Sequence, residues 1–158
     1  MDEKAKKQAL RLIPYGLYVL TARDREGVNA AIVSWLSQAS FEPPRLVVAL
    51  GNDSGIWHRV QAAGTFALSV VGAGQKDLAR AFFRPVELEG NTLGGYACHD
   101  GATGAPILDD VPAYLECRVV DTLDAGSHTF FLADIVEAGL QNDRAALTLA
   151  ETGWHYGG

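Results

Sequence analysis

The sixteen residues Asn29–Pro44, NAAIVSWLSQASFEPP, run directly into the apolar stretch Arg45–Leu50, RLVVAL. The segment opens as a strand, turns small and hydroxyl-rich at SWLSQAS, and is stopped by Pro43-Pro44. Backbone amides and hydroxyls are thereby left exposed between two strands, an arrangement suited to cradling a flat, phosphate-bearing ligand. The alternative is a polar strand end whose hydroxyls satisfy local backbone groups.

Working outward, the same strand-like texture recurs. GLYVLTA from Gly16, VNAAIVSW after the charged turn DREG, RLVVAL, TFALSVV, AYLECRVVDTL and HTFFLADIV give six strand candidates. Helical spacing is confined to KKQALRLI before Pro14, SGIWHRVQAAG, and QKDLARAFF, where Leu78 and Phe82 share a face. Many strands and few helices predict a barrel or sandwich. Several strands are continuous apolar runs, so both of their faces are covered, by a helix or by a second subunit. That excess of apolar strand surface points to a dimer. Residues 86–106 read as a long irregular excursion.

At 158 residues and 48% hydrophobic, the chain fits one domain, residues 1–158, with a real core. Its net charge of -6 argues against nucleic acid or an anionic membrane surface as partner. MDEKAKK lacks the features of a secretory signal, and no run approaches the roughly 20 apolar residues of a membrane span, so a cytoplasmic protein is expected. Cys98 and Cys117 have no disulfide or CxxC spacing and read as reduced structural thiols.

Three further motifs bear on chemistry. GNDSG, Gly51–Gly55, lies between a buried strand and a helix starting near Ser54, where free amides could hold an anion or simply be capped. VVGAGQKDL imitates a dinucleotide fingerprint but has Asp77 where the third glycine belongs. His58, His99, His128 and His155 form no metal pattern, and no metal site is expected. His128 follows the turn DAGS and faces either solvent or a cleft mouth, where it could donate a proton.

The segments IPYGLYVLTA, VSWLSQASFEPPRLVVAL, GAPIL and AGSHTFFLADIVEAG, in that order, resemble the flavin reductase-like FMN-binding split barrels. Within them the chain is most similar to the flavin reductase module of some flavodiiron proteins and to the flavoredoxin and ferric reductase branch. SWxSQxSFxPP and GxHTxF are specific in combination. The resemblance implies a mainly β fold, a six-stranded antiparallel Greek-key split barrel with a few short flanking helices. It also implies a homodimer with FMN near the subunit interface. By residue, it places Ser34, Trp35, Leu36, Ser37 and Gln38 along the isoalloxazine and ribityl chain, and Ser40, Asn52 and Ser54 at the phosphate. His128 matches the histidine beside the flavin and the incoming nicotinamide. TGWHYGG offers Trp154 or Tyr156 as a cover for the cofactor.

The expected activity is NAD(P)H-dependent flavin reduction, with electrons passing through FMN to free flavin, ferric iron or a protein acceptor. A second reading is a non-enzymatic FMN carrier reduced by a partner protein, and the chain's acidity suits docking to a basic redox partner. A third, a pyridoxamine phosphate oxidase-like or haem-handling barrel, lacks the arginine clamp and the axial ligand it would need.

Overall fold

A computed structural model describes residues 1–158. Its elements in chain order are α1 (Glu3–Arg11), β1 (Tyr18–Asp24), β2 (Gly27–Val33), β3 (Leu36–Ser40), β4 (Arg45–Gly51), α2 (Gly55–Ala63), β5 (Thr65–Val70) and α3 (Lys76–Ala81). They continue with β6 (Leu88–Glu89), β7 (Thr92–Leu93), β8 (Tyr96–Asp100), β9 (Pro106–Leu108), β10 (Ala113–Asp124), β11 (His128–Leu140) and α4 (Leu149–Thr152). The chain is mainly β with a few short helices, and no helix is long and apolar enough to cross a membrane.

The principal sheet runs β2-β1-β5-β10-β11-β4-β3, with antiparallel pairing throughout. Seven strands stand where the sequence predicts six. The six apolar runs all form strands; the seventh is the polar LSQAS, which joins because its backbone extends the β4 ladder, Leu36 opposite Val48 and Gln38 opposite Leu46. No ladder pairs β2 with β3, so hydrogen bonds do not close the sheet into the expected barrel. Yet these two edge strands are consecutive in the chain, separated only by Ser34 and Trp35. Three Cα steps span about 11 Å at full extension, so the sheet must curl until its edges meet at that corner.

Alternation along β1 divides the interior into two cores. Leu20 and Ala22 join Leu46, Val48, Phe66, Leu68, Phe131 and Ala133 inside the curl, where Ile56 and Val60 of α2 pack against them. Val19 points the other way, toward Val71, Leu78, Phe82, Leu93, Cys98 and Leu108. The continuous apolar runs are therefore covered largely from within the chain, by α2 on one face and by α3 and a second small sheet on the other.

That second sheet, β6-β7-β8-β9, occupies the segment read from sequence as irregular. Its strands are two to five residues long, too short for a period-2 pattern to register. Gly90, at φ +59, makes the turn between β6 and β7 that a side chain would strain. The buried carboxylate of Glu116 holds the loop between β8 and β9, accepting from the Ala102 and Thr103 amides and the Thr103 hydroxyl at 2.6–3.0 Å. Thr21 donates to the Pro106 carbonyl and ties β1 to this sheet.

Phe131 is fully buried at the centre of the curled core, with its ring 6.2 Å from that of Trp57. Phe131→Ala is expected to lower unfolding stability by about 3–5 kcal/mol in urea denaturation with an unchanged slope. A loss below about 1 kcal/mol would mean that this core is not the one that holds the sheet curled.

Candidate functional site

The corner between β2 and β3 is fixed before any ligand is considered. The Leu36 amide donates to the Ser34 carbonyl at 3.1 Å, and the Ala49 amide of β4 donates to the Trp35 carbonyl at 2.9 Å. Ser34 is buried, Trp35 is half-buried, and the indole Nε1–H of Trp35 is buried with no acceptor. An unmatched buried donor of this kind costs stability until something accepts from it.

Beside the corner, β4 runs into the N-terminus of α2. Ser54 caps that helix: its Oγ accepts from the Trp57 amide at 3.2 Å and donates its proton to the Gly51 carbonyl at 2.7 Å. The cap leaves the Gly55 and Ile56 amides of the first turn without an intrachain acceptor. Asn52 serves the loop itself. Its Nδ2 donates to the Gly126 carbonyl at 2.8 Å, its Oδ1 accepts from Thr129 Oγ1 at 2.7 Å, and its amide donates to the Ser127 carbonyl. The effect is to lock the 51–54 loop to the turn that delivers His128.

His128 starts β11 directly opposite Gly51. Its ring lies 4.6 Å from that of Trp35, centroid to centroid. Ser127 Oγ is 2.8 Å from Nδ1 and Tyr156 Oη is 2.7 Å from Nε2. On a neutral imidazole, one hydroxyl donates to the bare nitrogen and the other accepts from the protonated one. Tyr156 also meets the Trp35 ring edge-on at 5.0 Å, and partial burial pushes its phenol pKa up.

Two cavities flank this cluster. One, of about 410 Å³, is lined by Ser34, Trp35, Ala49, Ser54, Phe83 and Trp154 among other mostly apolar residues. The other, of about 380 Å³, is lined by Trp35, Leu36, Ser37, Val47, Phe130 and Tyr156 among others. Of the residues singled out from sequence, Ser34, Trp35 and Ser54 thus share the first cavity, and Trp35, Leu36 and Ser37 the second. Gln38, Ser40, Asn52 and His128 line neither; Gln38 is exposed on β3, Ser40 lies beyond a register shift in the ladder with β4, and His128 reaches the cluster through Trp35 and Tyr156. Ser37 donates its hydroxyl to the Gln38 carbonyl, as the local reading of SWLSQAS anticipates for a strand end.

Sequence reasoning missed Phe83. It lines the larger cavity, packs against Trp154 at 4.7 Å and remains half exposed. The signal was the doubled aromatic in RAFF, whose first member is spent on the core. Lys76 and Arg80 lie over the Trp154 ring at 5.0 and 5.6 Å, yet no lysine or arginine lines either cavity. No three His, Cys, Asp or Glu side chains gather as a metal site would require.

These features fit a planar, largely apolar ring system with a polar edge and one anionic end. The walls are aromatic and aliphatic, the corner holds an orphan N–H, and the anion-competent donors are amides at a helix N-terminus. The family model for the flavin reductase like domain matches residues 10–157. The chain belongs to that family. Diflavin flavoprotein A 1 of Synechocystis is 32% identical over 151 residues, covering 95% of this chain and 26% of its own length. A Rhizobium meliloti protein named "Probable flavin reductase" is 31% identical over 85% of this chain and 42% of its own length. The chain thus spans about a quarter of the length of the diflavin flavoproteins it matches. Among solved structures, the NADH:FAD oxidoreductase SgcE6 of Streptomyces globisporus superposes with a TM-score of 0.79 at 27% identity, covering 94% of this chain and 90% of that one. SgcE6 has also been solved with NAD and FAD fragments.

Neither cysteine of this flavin reductase-like chain belongs to the site. Burial, together with the neighbouring Glu116 carboxylate, pushes the Cys117 thiol up to about 12, and burial also raises Cys98. Both thiols are expected to resist a thiol-specific reagent at pH 8 in the native protein and to react at once in denaturant, read by absorbance. Rapid labelling of the native protein would contradict this burial.

Proposed function

We propose that this chain is a single FMN-binding domain over residues 1–158 that reduces flavin with NAD(P)H. Electrons pass onward to free flavin, ferric iron or a protein acceptor. The observation that carries this reading is an apolar cleft lined by Trp35 and the N-terminus of α2, with His128 packed against Trp35 at its margin.

FMN, when bound, supplies a hydride acceptor whose reduced charge is spread over its ring system. The chain's residues bind, orient and shield. Trp35 gives a flat wall and an N–H donor, Ser34 and Ser37 give hydroxyls, and Leu36 closes the apolar side, with Gln38 at the outer edge. The phosphate is assigned to the Gly55 and Ile56 amides; Ser40 pairs with Arg45 at the far end of β4, roughly 20 Å along the strand from Gly51, too far to share it. Ser54 acts there chiefly through its cap, since its proton is held by Gly51. Asn52 acts by fixing the loop, with one amide proton to spare. His128 holds or moves a proton at Nε2 beside the ring.

The same reading takes the curled sheet as a split barrel and the working unit as a homodimer. Phe41, Leu123 and Leu140 are 96%, 66% and 88% exposed, at the β3–β4 turn and at ends of β10 and β11. A second copy would cover such surface. The net charge of -6 suits a soluble cytoplasmic setting. A second reading, a carrier module reduced by a partner protein, is favoured by the diflavin flavoprotein relatives, in which a matching segment is about a quarter of a longer chain.

Anaerobic addition of NADH and then NADPH to the FMN-loaded protein is expected to bleach the flavin bands. Bands that persist would replace the reductase by the carrier. His128→Ala is expected to keep FMN but slow that bleaching by about 100-fold in stopped flow. An unchanged rate would remove His128 from the reaction.

A further inference from the structure

One residue of the site holds contacts that a planar ligand could use in its place. Tyr156 takes the Nε2 of His128 in a hydrogen bond and the edge of Trp35 in an aromatic contact. A planar ring stacked in this cleft would need those same two partners. Trp35 and Tyr156 are also the two residues common to the linings of both cavities, so Tyr156 stands in the wall between a space of about 410 Å³ and one of about 380 Å³.

The following segment is shaped to hold it there. Gly157 has φ +77 and lies so close to Trp35 that a Cβ would come within 2.7 Å of indole Cζ2. Gly158, at φ +85, lies against Arg11 and the Lys7 carbonyl of α1 in the same way. Only glycine fits both positions without strain. The hold is also weak. Tyr156 is half exposed, and its visible anchors are one hydrogen bond and aromatic edge contacts. A Cβ on Gly157 would meet the benzo edge of the Trp35 indole, Cζ2 first and then Cη2 and Cε2 at 3.5 and 3.7 Å, on a ring whose Nε1 is buried and unpartnered. The closed arrangement therefore leaves a donor unsatisfied that an incoming ring carbonyl could satisfy.

We propose that Tyr156 is a placeholder for the bound ring: it occupies the ring subsite alongside the touching pair Trp35 and His128 when no ligand is present and swings out to join the two cavities when flavin binds. This rests on the flavin reading of the cleft and names the residue that sets its apparent affinity. A protein whose open form is a minor fraction binds with an affinity reduced by that fraction. Removing the placeholder should therefore tighten binding, the reverse of what removing a wall of the site would do.

The test is an FMN titration of the apoprotein followed by quenching of flavin fluorescence, without nicotinamide or turnover. Tyr156→Ala is expected to lower the Kd by about tenfold, the equivalent of about 1.4 kcal/mol, with Tyr156→Phe between it and the parent. Gly157→Ala, which keeps the tyrosine side chain but drives its segment, and Tyr156 with it, off Trp35, is expected to tighten binding too. FMN binding that is unchanged or weaker in both Tyr156→Ala and Gly157→Ala overturns the placeholder and leaves the flavin reading standing. No binding by the parent or by any variant overturns the flavin reading itself, and the placeholder with it.

Discussion

Everything about this site depends on a two-residue connection. Ser34 and Trp35 join the two edge strands of a seven-stranded sheet, and so short a link allows only a sheet curled until its edges meet. The corner cannot relax into a flat connection, because the Trp35 carbonyl is already bonded to β4. A backbone held in that way puts an indole and a buried serine at the same point where α2 begins and His128 arrives. The cleft is a consequence of how the sheet fails to close.

The two cores explain how such a corner is kept rigid. The curled core fixes β4 and β11, which deliver Gly51 and His128 as paired residues. The outer core holds Phe82 and Leu149, and these place Phe83 and Trp154 at the other wall. Charge plays a smaller part than shape. With no lysine or arginine lining either cavity, an anionic end must be met by amides and hydroxyls. Such donors are fixed in place by the fold and cost little to reorganise when a ligand arrives.

Much of this was legible in the sequence, and the parts that were not share a cause. Apolar runs of six residues or more announced six strands, and Ser54 announced the start of α2 because N-caps carry a local chemical signature. The strand Leu36–Ser40 escaped notice as a strand because it is recruited by the ladder of β4 and not by hydrophobicity. The small sheet over residues 88–108 escaped because its strands are shorter than any period they could show. Asn52 was read as a ligand contact, whereas its bonds to Gly126 and Thr129 depend on a loop 74 residues away in the chain. Tyr156 could be flagged by its aromatic ring, but its bond to His128 is a fact of tertiary structure.

The proposed seating of flavin at the Ser34–Trp35 corner can be read directly through the chain's three tryptophans. Trp35 and Trp154 line the larger cavity, while Trp57, on α2, packs against Phe131 and His58 and lines neither cavity. A nitrogen-15 spectrum of the indole N–H groups during FMN addition should show the Trp35 resonance moving most, Trp154 following, and Trp57 nearly still. Saturable FMN binding that leaves the Trp35 resonance in place, or moves Trp57 alone, would put the ligand elsewhere and contradict the account.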